Sequence, residues 1–143
     1  MTSLLDVNVL IALAWPRHVH HVAAARWFDR AHPQGWATTP LTESGFIRVS
    51  SNPRVFPNGA SPAQAAAVLL RARNVDGHVF WPDSTSMCGS IDLLEQHVHG
   101  SGVVTDAHLA LIAARNDGVL VTFDGRAAML ARELGAQAQL LEA

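Results

Sequence analysis

The segment Val119-Leu120-Val121-Thr122-Phe123 is apolar at nearly every position and stops abruptly at Asp124-Gly125. A strand without polar alternation has no face to offer water, so it fits a parallel sheet covered by helices on both sides. The remaining segments supply such a fold. A short apolar strand ends near Asp6, and Asn8 is the expected N-cap of a brief helix through Val9, Leu10, Ile11 and Leu13 that Trp15-Pro16 stops. A helix is expected over 18–31, a strand over 35–38, and a third helix after Thr39-Pro40, an N-cap followed by proline at the first helical position. Thr42 occupies the capping-box position of that helix, which also carries Glu43. Ser61-Pro62 repeats the start signal ahead of an Ala-rich helix over 63–73. Further on, the pattern predicts a strand over 79–81, a helix over 86–98, and a helix over 106–116 capped by Thr105. After the apolar strand come a helix over 127–134, closed by Gly135, and a last strand over 138–141. Strands alternating with helices imply an α/β fold, a three-layer α/β/α sandwich around a mainly parallel sheet.

With 143 residues, 49% hydrophobic and only 15% charged, residues 1–143 read as a single domain without repeat or linker. The longest apolar run, from Val9 to Trp15, is far shorter than the roughly 20 residues that cross a bilayer. Nor does the start carry the basic region of a signal peptide, so no membrane association and a cytoplasmic location are expected. The lone Cys88 excludes an internal disulfide and a thiolate zinc framework, and is expected to be a small buried residue. A net charge of −2 leaves any contact with nucleic acid to a local basic surface. All ten basic residues are arginine, which removes every mechanism that needs a lysine.

In an open parallel sheet, ligands bind outside the carboxyl ends of the strands. Asp6 and Asp124 each follow an apolar strand and emerge on that rim, which Asp106 can reach from the first turn of its helix and Glu43 from one turn inside another. Two carboxylates about 4 Å apart repel by roughly 4 kcal/mol at an effective dielectric near 20, so four together need a cation. Oxygen ligands without cysteine favour Mg²⁺ or Mn²⁺. Each acid also has a structural reading. Asp124 can serve the turn after its strand, Asp106 can complement a helix dipole, and Glu43 can be an exposed helix residue. Asp6 is the hardest to explain this way, because a charge between Leu4-Leu5 and Val7 is costly unless paired or coordinated.

The run Leu4-Leu5-Asp6-Val7-Asn8-Val9-Leu10-Ile11-Ala12-Leu13 resembles the opening of PIN-domain proteins of the VapC type, toxins of bacterial toxin–antitoxin pairs. Thr42-Glu43-Ser44, Thr105-Asp106-Ala107 and Thr122-Phe123-Asp124 are similar to that family's three further acid motifs, in the same order. The resemblance implies a metal-dependent endoribonuclease acting on RNA phosphodiesters. In it Asp6, Glu43, Asp106 and Asp124 are catalytic metal ligands, and Asn8 and Thr122 orient carboxylates or water. It also implies a cognate antitoxin partner and a homodimer. Residues 52–99 carry no matching motif.

Arg17, His18, His20 and His21 follow the first helix near the rim, so Arg17 and His20, with Arg48 beyond Glu43, are candidate contacts for RNA phosphates. Arg126 directly follows the Asp124 turn. Zinc at His18, His20 and His21 is disfavoured, because that spacing does not put three imidazoles on one helical face. Asp29, Asp76, Asp83 and Asp92 look like solvated or turn acids. A receiver or phosphotransfer domain conflicts with the absence of lysine, and no Gly-rich phosphate loop is present. The remaining alternative is a non-catalytic PIN-like scaffold that binds RNA or a protein partner.

Overall fold

The computed structural model describes residues 1–142. Five strands form one sheet: β1 Ser3–Leu5, β2 Trp36–Thr38, β3 His78–Phe80, β4 Val119–Thr122 and β5 Gln137–Leu140. Their order is β3-β2-β1-β4-β5, and every pairing is parallel. Seven α-helices accompany them: α1 Val7–Ala14, α2 His21–Ala31, α3 Pro40–Ser50, α4 Pro62–Ala72, α5 Ile91–His97, α6 Val104–Arg115 and α7 Gly125–Glu133.

Side chains alternate across a strand, so neighbouring residues serve different layers. Leu4, Ala37 and Leu120 pack with Ala107, Leu109, Ala110 and Ala113 of α6 and with Leu130 and Ala131 of α7. The residues beside them, Leu5, Trp36 and Val121, pack with Val9, Leu10 and Ile11 of α1, Trp27 of α2, Phe46 of α3 and Leu69 of α4. Two cores on opposite faces of one sheet make the three-layer sandwich. The apolar run at β4 lies between β1 and β5, where Leu120 and Val121 are both fully buried.

Several local expectations are corrected. The N-cap of α1 is Asp6, whose Oδ1 accepts the Val7 N–H at 2.7 Å; the Asn8 side chain turns instead to β4. Helix α2 starts at His21 rather than 18, because the His18 ring accepts the His20 N–H at 3.0 Å and holds a turn there. The helix expected over 86–98 is shorter. Ser86 Oγ accepts the Gly89 N–H at 3.2 Å, a local bond that competes with the helical ladder, so a 3₁₀ turn at Cys88–Ser90 precedes α5. Cys88 is exposed on that turn, not buried. Helix α6 begins before Thr105, with Val103 as N-cap, and α7 begins at Gly125 with Asp124 as N-cap. The Thr39 capping box with Thr42 is formed, and Gly135 takes the positive φ of +87° that ends α7. No helix among the described residues is long and apolar enough to cross a membrane.

Candidate functional site

From β1 the chain moves to β2 on one side, and from β4 to β5 on the other. The sheet therefore has its topological switch between β1 and β4, which opens a crevice at their carboxyl ends. Asp6 follows β1 directly and Asp124 lies two residues beyond the end of β4, so both stand at this crevice. Asp6 is only 8% exposed, and hydrogen bonds hold its carboxylate on several sides. Thr122 Oγ1 donates to Asp6 Oδ2 at 2.7 Å, and Asn8 Nδ2 donates to the same oxygen at 3.4 Å. Asn8 Nδ2 also donates to Thr122 Oγ1 at 3.2 Å, and Asn8 Oδ1 accepts the Phe123 N–H at 3.2 Å. Thr122 Oγ1 further accepts the Asp124 N–H at 3.0 Å. These bonds tie the start of α1 to the turn after β4, and Asn8 and Thr122 both orient Asp6.

The electrostatics identify a third member. Burial first, and then the charges of Asp6 and Asp124, push the Asp106 carboxyl up to about 6, and only Arg126 pulls it down. Burial also raises Asp6, with hydrogen bonds from Thr122 and Val7 opposing and Asp124 adding to the rise. Asp6, Asp106 and Asp124 thus form one mutually repelling set. Arg126 sits at its edge, with its backbone N–H donating to Asp124 Oδ1 at 2.9 Å.

Glu43 is held differently. Its Oε2 accepts the Thr38 hydroxyl at 2.7 Å and lies 3.3 Å from Arg73 Nη1. Because that hydroxyl proton goes to Glu43, His78 Nε2, 2.8 Å from Thr38 Oγ1, must be the donor in its own contact. The Arg73 guanidinium also lies 5.3 Å from the centroid of the Phe80 ring. Glu43 is not among the charges that shift Asp6 or Asp106. Among the described residues no group of three or more His, Cys, Asp or Glu side chains is spaced to hold a metal ion.

The candidate RNA contacts separate. His20 lines an open cleft of about 510 Å³ that Asn8 and Asp124 share. Arg17 is exposed and borders a different, apolar pocket with Trp15 and Phe56. Arg48 is exposed about 7.5 Å further along α3 than Glu43, on the way back from the rim. His21 Nδ1 lies 2.7 Å from the Ala12 carbonyl and donates to it, which ties α2 to α1. Sequence reasoning did not find Arg73, Thr38 or His78. It also took Asp83 for a solvated or turn acid; its Oδ1 does accept the Thr85 N–H at 2.9 Å, two residues on, but its Oδ2 also lies 2.7 Å from His108 Nε2, poorly aligned for a hydrogen bond. Burial pushes Asp83 up, but the Thr85 N–H and His108 outweigh it and leave the carboxyl below its ordinary value.

The PIN domain profile matches residues 3–133. Among curated proteins, Ribonuclease VapC39 of Mycobacterium tuberculosis is 51% identical over 128 residues, covering 87% of this chain and 89% of that protein. Ribonuclease VapC38 of Mycobacterium tuberculosis is 46% identical over 131 residues, covering 92% and 91%. FitAcB from Neisseria gonorrhoeae superposes with a TM-score of 0.61 at 14% identity, covering 95% of both chains. A domain of a functionally unknown protein from Methanocaldococcus jannaschii gives a TM-score of 0.59 at 15% identity, covering 99% of this chain and 91% of that one. Those two structures speak to the fold alone. With the profile spanning nearly its full length, relatives at half identity, and acids at the switch point of a parallel sheet, this chain belongs to the PIN-domain family.

Proposed function

We propose that the protein is a metal-dependent endoribonuclease, the toxin of a cytoplasmic toxin–antitoxin pair whose antitoxin neutralises it, and that it works as a homodimer. The observation that carries this reading is the crevice at the switch between β1 and β4, where Thr122 Oγ1 bonds both the Asp6 carboxylate and the Asp124 N–H; the Asp106 carboxyl, raised by burial and by the charges of Asp6 and Asp124, supports it. A fold that holds three acids against their own repulsion, with one arginine at the edge, suits a site completed by a cation. The names of the VapC ribonuclease relatives support the same activity.

The donor set fits Mg²⁺ or Mn²⁺. Such hard ions take carboxylate oxygens and keep several waters, so one or two direct ligands suffice and no preformed cluster of three is needed. Of Asp6, Asp106 and Asp124, one or two would hold the ion directly and the rest through its waters; Glu43, already paired with Arg73, is the fourth acid we assign to the site. When bound, the ion supplies Lewis acidity to the scissile phosphate and lowers the pKa of an attacking water. The chain's own residues do the positioning. Thr122 and Asn8 fix the Asp6 carboxylate, and the Asp124 cap fixes the turn opposite. Arg126, whose charge already reaches Asp106, is the arginine placed to meet a phosphate at the acids, with Arg17 and Arg48 as more distant contacts.

The test is cleavage of single-stranded RNA by purified protein with Mg²⁺ or Mn²⁺ and again in EDTA. New RNA ends that require the ion are expected. Cleavage that survives EDTA and is lost on replacing a histidine overturns the metal mechanism. Retention of RNA without new ends under either ion leaves a binding scaffold instead.

A further inference from the structure

The cleft beside Asp124 carries aromatic surface that phosphate binding does not need. It lies between the 18–20 turn and the turn after β4, and is lined by Asn8, His18, Val19, His20, Phe123 and Asp124, together with Gly125. The His20 ring stacks on Phe123 with centroids 4.9 Å apart and planes at 21°, and the His18 ring stands 5.6 Å from His20 at 53°. His20 Nδ1 is buried without a hydrogen-bond partner, and the stack on Phe123 is the ring's closest aromatic contact. The turn that presents it is braced by the His20 N–H donating to His18 Nδ1 at 3.0 Å. Val19, 83% exposed, adds an aliphatic lip. On the other side, the Phe123 N–H donates to Asn8 Oδ1, and Asn8 in turn touches Asp6, so the stacked pair is fixed to the acid rim. At about 510 Å³ the cleft falls in the size range of small-ligand sites, roughly 300–1,000 Å³.

We propose that this cleft is a nucleobase subsite, which receives an unpaired base of single-stranded RNA against the His20–Phe123 stack while the adjoining phosphate lies at the acids. The inference rests on the ribonuclease reading above and replaces a phosphate contact by His20 with a stacking contact. Unpaired bases are commonly held on aromatic and histidine rings, a contact tolerant of sequence because every base has a π face. Phe123 and Asp124 are adjacent in the chain, so base and phosphate of neighbouring nucleotides can be engaged together.

Binding of a fluorescent ten-nucleotide single-stranded RNA, followed by anisotropy in EDTA at several salt concentrations, tests this without cleavage. His20→Ala is expected to weaken binding about tenfold, the size of a single base–ring stack, with an unchanged salt slope. His20→Phe restores it to within about twofold of wild type, since a ring is kept and the imidazole removed. One abasic position in the RNA weakens wild type but adds nothing to His20→Ala. The proposal is overturned if His20→Phe binds as poorly as His20→Ala with a flatter salt dependence, the mark of a phosphate contact. It is equally overturned if no abasic position affects wild type. Thermal melts of each variant confirm folding. Cleavage of the same RNA in Mg²⁺ separates the two readings: base-dependent binding without cleavage refutes the nuclease, whereas cleavage with base-independent binding refutes only the subsite.

Discussion

Replacing Asp106 by Asn should stabilise the metal-free protein at high pH and do nothing for it at low pH. Asp106 makes no side-chain hydrogen bond among the described residues, and its carboxyl is raised from 3.8 to about 6. A raised folded-state value means that protonation favours the fold. The native state keeps its full advantage below about pH 4 and loses it as pH rises through 6. A rise of that size corresponds to about 3 kcal/mol, and solvent screening at this half-buried carboxyl reduces it to about 1.5 kcal/mol. Loss of the favourable interaction with the α6 dipole costs the variant about 0.5 kcal/mol, which leaves a net gain of about 1 kcal/mol. For a chain of this size that is about 2–4 °C in Tm. Thermal melts in EDTA at pH 8 and pH 3.5 read it directly. The gain should be present at the first pH and absent at the second. Added Mg²⁺ should raise the wild type by about 2.7 kcal/mol at a hundredfold excess over its Kd, and the variant by less. A variant that melts lower than wild type at pH 8, or a difference that ignores pH, refutes the view that Asp106 is held against repulsion.

Gly45 gives a second measurement. A Cβ there would lie 2.6 Å from Val7 Cγ2, so Gly45→Ala should destabilise by about 1–3 kcal/mol in urea unfolding, and Val7→Ala in the same chain should recover most of it. Because Val7 donates to the Asp6 cap, the single variant should also lose nuclease activity out of proportion to its folded fraction, measured in the cold where it remains folded. Thr38→Val removes the fully buried hydroxyl between His78 and Glu43 and orphans the His78 Nε2 donor, at a cost of about 1–3 kcal/mol by the same assay, whereas Thr38→Ser should cost less.

What was legible in the sequence is what parallel-sheet geometry turns from order into place. An acid directly after an apolar strand must emerge at the carboxyl rim, so Asp6 and Asp124 could be set side by side before any contact was known. Thr39-Pro40 and Ser61-Pro62 announced helices because the caps that start them are local. Local signals also misled when two neighbours could do the same job. Asp6 and Asn8 are both able caps; Asp6 takes the role because β1 delivers it to the helix start, which frees Asn8 to bridge β4. Glu43 shows where such reasoning stops. Its helix and approximate height on the rim follow from Thr39, but its partner Arg73 lies thirty residues on, at the C-terminal end of α4, in the stretch with no recognisable motif. That pairing depends on how α4 packs against α3, and the same holds for Asp83 and His108, brought together from the loop after β3 and from α6. Carboxylate positions are therefore a property of strand order, while their counter-charges are a property of helix packing. It is the counter-charge that makes Glu43 differ from the three aspartates: a guanidinium, that of Arg73, lies 3.3 Å from Glu43, whereas Asp6 is held by uncharged donors and Asp106 is opposed only by Arg126.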